Sequence, residues 1–283
     1  MEDKSKFISY LSPAKLNLGL KIVGKRSDGY HLLKTIFCLI DLYDRIKIEV
    51  TNDSKITLVG HNQMWPYETD LGFKAASLLQ KISGTNFGAN IIIDKVIPVG
   101  AGLGGGSSNA ATVLTALNYL WQLNLNNNEL IDIGRSLGAD VPFFIYGKNA
   151  YAGGIGDEFT PINLAQRYFV LVKPEFQIPT PKIFAAFKLD LNNDFSFINS
   201  EYLLNTLSND LEEVAITVYP QLKKIINNLA QNGKFVMTGS GSTLFMQFDD
   251  LENANKVAYA LRKSYNTYLV KSMDVSPIFM HNP

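Results

Sequence analysis

Pro98-Val99-Gly100-Ala101-Gly102-Leu103-Gly104-Gly105-Gly106-Ser107-Ser108 decides how this chain is read. Five glycines fall within the seven positions 100–106. A β-branched run (Ile91-Ile92-Ile93, then Val96-Ile97) precedes them, and an Ala-rich helical pattern starts at Asn109. The order is strand, glycine-rich loop, helix start. Glycine lets backbone N–H groups close on an anion, and a helix start adds unpaired N–H groups and the positive end of its dipole. Such a junction cradles phosphate, so the stretch points to a nucleotide bound through its phosphates.

Several phosphate loops share this look. Gly100, Gly102 and Gly105 satisfy G-x-G-x-x-G, a weak pattern alone. The dinucleotide-binding reading requires an acidic residue closing a strand roughly 20 positions on, where an Asn-rich turn (124–128) enters a helix instead. The Walker A reading requires Lys-Ser/Thr after the last glycine, and Gly106-Ser107-Ser108 has none. The protein-kinase HRD and DFG motifs are absent too.

Outward from the loop, residues 7–11 and 14–23 read as strands. In the second, Ala14, Leu16, Leu18, Leu20 and Ile22 alternate with Lys15, Asn17, Gly19 and Lys21. Residues 35–42, 44–50 and 55–59 are further strands, and 69–82 and 129–137 keep helical spacing, with Gly138 placed to end the latter. The second half opens near Tyr168. It reads as strand (168–172), helices (180–187, 209–218, 221–229), strands (235–237, 244–248), helix near 254–261 and strand (267–272). That order suggests a compact α+β unit. The boundary falls between Gly156 and Gln166, giving an N-terminal domain over 1–162 and a C-terminal domain over 163–283.

Lys plus Arg and Asp plus Glu both number 26. Zero formal net charge argues against a general nucleic-acid or anionic-membrane binder, while leaving room for a local basic pocket. No apolar run approaches the roughly 18 residues of a membrane span. Met1-Glu2-Asp3-Lys4 lacks a signal-peptide pattern. The single cysteine, Cys38, permits no internal disulfide and reads as a small core residue. Both observations suit the cytoplasm. Oligomeric state is left open.

The stretch 98–108 resembles the central motif of the GHMP kinases. Pro13-Ala14-Lys15-Leu16-Asn17-Leu18 and Thr238-Gly239-Ser240-Gly241-Ser242-Thr243 resemble the outer two motifs. Arg26-Ser27-Asp28-Gly29-Tyr30-His31, Gly138-Ala139-Asp140-Val141-Pro142-Phe143-Phe144 and Ile178-Pro179-Thr180-Pro181 narrow the match. They are similar to the branch that phosphorylates a cytidine-diphosphate-linked methylerythritol with ATP in the non-mevalonate route to isoprenoids. The resemblance spans roughly residues 9–248. It implies a two-domain α+β GHMP kinase fold, ribosomal protein S5 domain 2-like at the N-terminus and ferredoxin-like at the C-terminus. ATP is the implied phosphoryl donor, with Mg²⁺ bridging its phosphates, and no metal ligand is assigned.

The resemblance also implies roles. Lys15, otherwise a surface lysine packing its stem along a sheet, becomes a catalytic cation. Asp140, otherwise the N-cap of a short helix near Phe143, becomes the base that takes the acceptor proton. Asn17 binds substrate or orients Lys15. Tyr30, His31 and Phe184 form a cytosine clamp, with Thr180 adding a hydroxyl; alone, His31 reads as a turn histidine and Phe184 as core. Ser107 and Ser108 read both as helix caps and as phosphate or magnesium contacts. The loop 238–243 reads either as a hairpin turn or as a segment approaching the glycine loop or substrate. Two places depart from the family pattern, the stretch Met64-Trp65-Pro66-Tyr67 and position 70. Asp70 stands where an Asn near the adenine is usual, and lacks the amide donor. Two alternatives stay open: a GHMP kinase of homoserine or mevalonate type, and a non-catalytic nucleotide-binding sensor.

Overall fold

The chain's length in strand is concentrated in its first fifty residues. The computed structural model describes residues 7–60, 66–189 and 195–280. Met1–Lys4, Met64-Trp65 and Asn192-Asn193 lie outside the described residues. β1 (Ile8–Lys25) and β2 (His31–Thr51) pair antiparallel along nearly their whole lengths. Sequence reading divides each into two strands; the structure makes each continuous. The register shift between Pro13 and Ala14 is the reason. Proline has no N–H to give a ladder, and a bulge is where a strand tolerates it.

β3 (Ile56–Leu58), α1 (Leu71–Ser83) and β4 (Gly88–Asp94) follow. β4 lies antiparallel to β2 and stops at Asp94. Val96 and Ile97, which look like its continuation, leave the sheet because their amides donate instead to the Asp44 carboxylate at 2.7 and 2.8 Å. α2 (Gly105–Leu120) begins one turn earlier than its Ala-rich pattern suggests. Gly104, at φ 72°, turns the chain into the helix. α3 (Asn127–Arg135) has an Asn126/Glu129 capping box. It ends at Ser136 rather than at Gly138, whose carbonyl accepts from Val141 in the next turn. α4 (Val141–Tyr146) and the short strands β5 (Ala150–Gly153) and β6 (Glu158–Pro161) complete this half. Neither strand was legible from the sequence pattern, each being four residues long.

The second half is β7 (Tyr168–Lys173), α5 (Thr180–Ala186), α6 (Ser200–Thr206), α7 (Asp210–Val218), α8 (Pro220–Leu229), β8 (Val236–Met237), β9 (Leu244–Phe248), α9 (Leu251–Leu261) and β10 (Asn266–Met273). Four strands in the order β10-β7-β9-β8, with helices after the first and third in sequence, give the ferredoxin-like βαββαβ pattern. The two halves share one sheet, because Ser272 and Met273 of β10 pair with Ile40 and Leu39 of β2. One buried cluster lies under α1–α4. A second joins Leu16, Ile36 and Ile40 to Phe169, Leu171 and Phe245, and a third fills the C-terminal half. Cys38 is fully buried in the second, and burial pushes its thiol pKa up. No helix among the described residues is long and apolar enough to cross a membrane.

The chain returns to its first half after β10. Ile278, 2% exposed, sits in the cluster beneath α1–α4. Ser276 donates its amide to the Gly147 carbonyl, at the end of the helix that Asp140 opens. Ile278→Ala is therefore expected to cost about 2–5 kcal/mol of stability, read as a lower urea midpoint. An unchanged midpoint would show that the tail does not belong to that core.

Candidate active site

Lys15 lies in the middle of β1, and its position follows from its neighbours on the strand. Its backbone N–H donates to the Leu103 carbonyl at 3.0 Å, which ties the strand to the glycine loop. Its side chain is 4% exposed. A buried ammonium needs hydrogen-bond and charge partners. Nζ donates to Asn17 Oδ1 at 2.7 Å, lies 3.5 Å from Asp140 Oδ2, and sits 5.4 Å from the Phe37 ring centroid. Asn17 is pinned in turn: its Nδ2 donates to Thr35 Oγ1 at 2.8 Å, and that hydroxyl donates to the Gly19 carbonyl at 2.6 Å. The amide can therefore only present its oxygen to Lys15. Asp140 occupies the N-cap position of α4 but makes no capping bond, so the cap reading of its carboxylate is corrected. Its side chain is 35% exposed and faces the cleft beside Lys15.

The cleft encloses about 470 Å³. Its lining includes Pro98 to Ser107, then Asp70, Leu71 and Lys95, and Leu33, Ile155, Thr180 and Phe184. The first-turn amides of α2, those of Gly105, Gly106 and Ser107, have no acceptor within the helix. They are flanked by Lys15 and Lys95, each paired with an aspartate, Asp140 and Asp44 respectively.

The structure does not place every sequence-named residue on this surface. Ser108 is fully buried: its amide donates to the Gly104 carbonyl at 2.9 Å, and its hydroxyl accepts from Ser12 at 2.8 Å. Neither Ser107 nor Ser108 caps α2, which has no side-chain cap. His31 is buried, its ring centroid 5.5 Å from that of Phe184 and 5.9 Å from that of Phe187. His31 and Phe184 touch, so these two rings do not leave a slot between them for a base. Tyr30 is 57% exposed. Desolvation, and then the Lys25 charge, lower the His31 pKa below its ordinary value. Thr180 bonds Ser240 hydroxyl to hydroxyl at 2.6 Å. Asp70 caps α1 through Gly72 N–H at 2.8 Å.

The loop 238–243 is both a hairpin turn between β8 and β9 and a close neighbour of the glycine loop. Thr238 Oγ1 accepts the Asn17 amide at 2.8 Å, and Thr243 donates its amide to the Ala101 carbonyl at 3.3 Å. Gly102 has φ 76°, and a Cβ there would lie 2.6 Å from the Thr238 carbonyl oxygen.

Sequence reasoning missed a buried network under the loop. The Asp44 carboxylate, wholly buried, pairs with Lys95 and accepts from Val96, Ile97 and Asn109. Lys95 also donates to Asn109 Oδ1 at 2.8 Å, and Asn109 Nδ2 donates to Ser12 at 3.0 Å. This network joins β2, the segment after β4, α2 and β1. Its only signal in the sequence was an aspartate inside an apolar strand and an asparagine inside an Ala-rich helix. Among the described residues, no three His, Cys, Asp or Glu side chains gather as a metal cage.

A glycine loop on a helix start, facing a lysine–aspartate pair across a two-lobed α+β cleft, defines a small-molecule kinase of the GHMP class. The GHMP kinase N-terminal domain family matches residues 70–148, and its C-terminal counterpart matches residues 191–267. A curated protein of Neisseria meningitidis serogroup A, named 4-diphosphocytidyl-2-C-methyl-D-erythritol kinase, is 43% identical over 95% of this chain and 96% of its own length. A crystal structure of 4-(cytidine 5'-diphospho)-2C-methyl-D-erythritol kinase superposes with TM-score 0.80 at 34% identity, covering 94% of this chain and 99% of that one. A homoserine kinase from Cytophaga hutchinsonii shares the fold at TM-score 0.68 and 16% identity, over 98% of this chain and 97% of its own. The chain belongs to the 4-diphosphocytidyl-2-C-methyl-D-erythritol kinase family of the GHMP kinases.

Gly102→Ala tests the contact between the two loops. A left-handed alanine costs about 1–3 kcal/mol, and here the methyl also meets the Thr238 carbonyl. Isothermal titration is expected to give ATP binding weaker by about tenfold or more, since 1.4 kcal/mol is one decade. Unchanged ATP affinity would mean that this loop contact does not shape the phosphate site.

Proposed function

We propose that this chain transfers the γ-phosphoryl group of ATP to the 2-hydroxyl of 4-diphosphocytidyl-2-C-methyl-D-erythritol, in the non-mevalonate route to isoprenoid precursors. The observation that carries the reading is the Lys15–Asp140 pair, 3.5 Å apart, in the same cleft as the glycine loop. Phosphoryl transfer needs positioning and charge stabilisation more than covalent help from the protein. The amides of the loop and of the first turn of α2 hold the β- and γ-phosphates. Asp140 accepts the proton of the acceptor hydroxyl. That oxygen bonds to the γ-phosphorus, the bond from the γ-phosphorus to the β,γ-bridging oxygen breaks, and ADP leaves with that electron pair. Lys15 neutralises charge growing on the attacking oxygen. Asn17 fixes the direction of Lys15.

The two ends of the cleft divide the substrates. Adenosine extends toward Asp70, Leu71 and Lys95. The cytidyl group lies toward Thr180 and Phe184, stacking on the Phe184 face turned away from His31 with Tyr30 closing over it. His31 stands behind Phe184 and supports its ring. Magnesium keeps most of its waters and is held by one or two carboxylates plus substrate phosphates. The Ser107 hydroxyl would fit beside those phosphates, and the ion would offset phosphate charge. The division at 1–162 and 163–283 describes the two lobes, with the tail near Ile278 crossing back to the first.

The test is a coupled ADP-release assay with the cytidyl substrate beside homoserine and mevalonate, neither of which has a base to stack. Turnover is expected with the cytidyl substrate alone. Turnover with a control instead would discard the Phe184 end as a base site. Asp140→Asn is expected to lower kcat by about 10²–10⁴-fold, the usual range for a general base, with ATP binding retained. Undiminished turnover would remove Asp140 from proton transfer, and ATP binding without turnover in the native chain would favour the sensor.

A further inference from the structure

Asn209-Asp210-Leu211-Glu212 does not line the cleft described above, yet three of its side chains tie the cleft's parts together. Asn209 donates both amide hydrogens, to the Met237 and Gly239 carbonyls, each at 2.7 Å. Its oxygen accepts from Leu211 at 2.9 Å and caps α7. Asp210 binds Lys21 Nζ at 2.6 Å and the Ile22 amide at 3.0 Å. Glu212 accepts the Met237 amide at 2.7 Å. Just upstream, the Ser208 carbonyl accepts the Leu20 amide at 2.8 Å. The segment therefore grips β1 just beyond Asn17, and holds the chain on both sides of Thr238.

Thr238 is the residue between the two carbonyls that Asn209 draws together. Its hydroxyl accepts the backbone N–H of Asn17 at 2.8 Å, and the Asn17 side-chain Oδ1 accepts from Lys15. One amide group making two bonds to carbonyls two residues apart fixes the backbone of the residue between them. A shift of that residue moves the hydroxyl against which Asn17 is set. Two positions on from Thr238, Ser240 meets Thr180, and both line the cleft.

We propose that Asn209 is a positioning residue for phosphoryl transfer: it holds Thr238 so that Asn17 presents Lys15 to Asp140 and the acceptor hydroxyl. This rests on the kinase reading above. It differs from a structural role in its path, which runs through Asn17.

Two substitutions keep the α7 cap and remove both donors: Asn209→Asp, of the same shape, and Asn209→Ser, without added charge. Both are expected to lower kcat by about tenfold or more while the KM for ATP changes by less than about threefold, the signature of an interaction lost in the transition state. The deciding measurement is a double-mutant cycle with Asn17→Ala. Residues acting through one another are non-additive, so the double variant should match Asn17→Ala alone within about twofold in kcat. Losses that multiply would overturn the proposal, as would kcat within about twofold of the native chain in both single variants. Failure of both to give the native circular dichroism spectrum would assign Asn209 to stability and equally overturn it. The native chain is assayed alongside: its own failure to turn over the cytidyl substrate would count against the kinase reading instead.

Discussion

A lysine ammonium held out of water is the constraint around which this structure is arranged. Lys15 is 4% exposed, and a buried charge without partners is costly by several kcal/mol. Asn17 supplies an oxygen, Asp140 a charge and Phe37 a ring face. Each comes from a different place: the same strand, the turn before α4, and β2. Satisfying Lys15 therefore brings the strand pair and the aspartate turn into register, and the Lys15 amide does the same for the glycine loop. A buried ion pair is weak evidence for stability and better evidence of a task, since apolar residues would fill the same volume at no greater cost.

A second constraint is the crossing of the two halves. The glycine loop is pressed between the Asp44 network beneath and the loop 238–243 above. The first comes from the N-terminal half and the second from the C-terminal half. The shared sheet, through the pairing of β10 with β2, holds both at fixed height. Close backbone approach on this second side is why a residue without a Cβ is needed at Gly102. The loop's preorganised amides then need little rearrangement to receive an anion, which is how a fixed dipole array stabilises developing charge.

What the sequence made legible was local or carried by motif. The glycine run, the alternation in β1 and the helical spacing of α1 and α2 depend on neighbours along the chain, and all are present, although β1 is continuous and α2 starts one turn early. Lys15, Asn17, Asp140, Thr180 and Phe184 do line one cleft. What stayed hidden depends on long-range pairing. Ser12 meets Ser108 across 96 positions, and Asn17 meets Thr238 across 221. No spacing rule reports such contacts, so Ser108 looked like a loop ligand although Ser12 draws it inward. β5 and α6 are too short for periodicity to register. His31 and Phe184 lie together, with ring packing placing them against each other instead of on either side of a gap.

The central claim is that two different nucleotides occupy opposite ends of one cleft, with the lysine–aspartate pair between them. Inhibition by CMP tests it most directly, because CMP carries the cytosine but neither a polyphosphate nor the acceptor. The account predicts that CMP competes with the cytidyl substrate and leaves the KM for ATP unchanged. Competition against ATP alone, or no inhibition at concentrations that saturate a pyrimidine site, would contradict it.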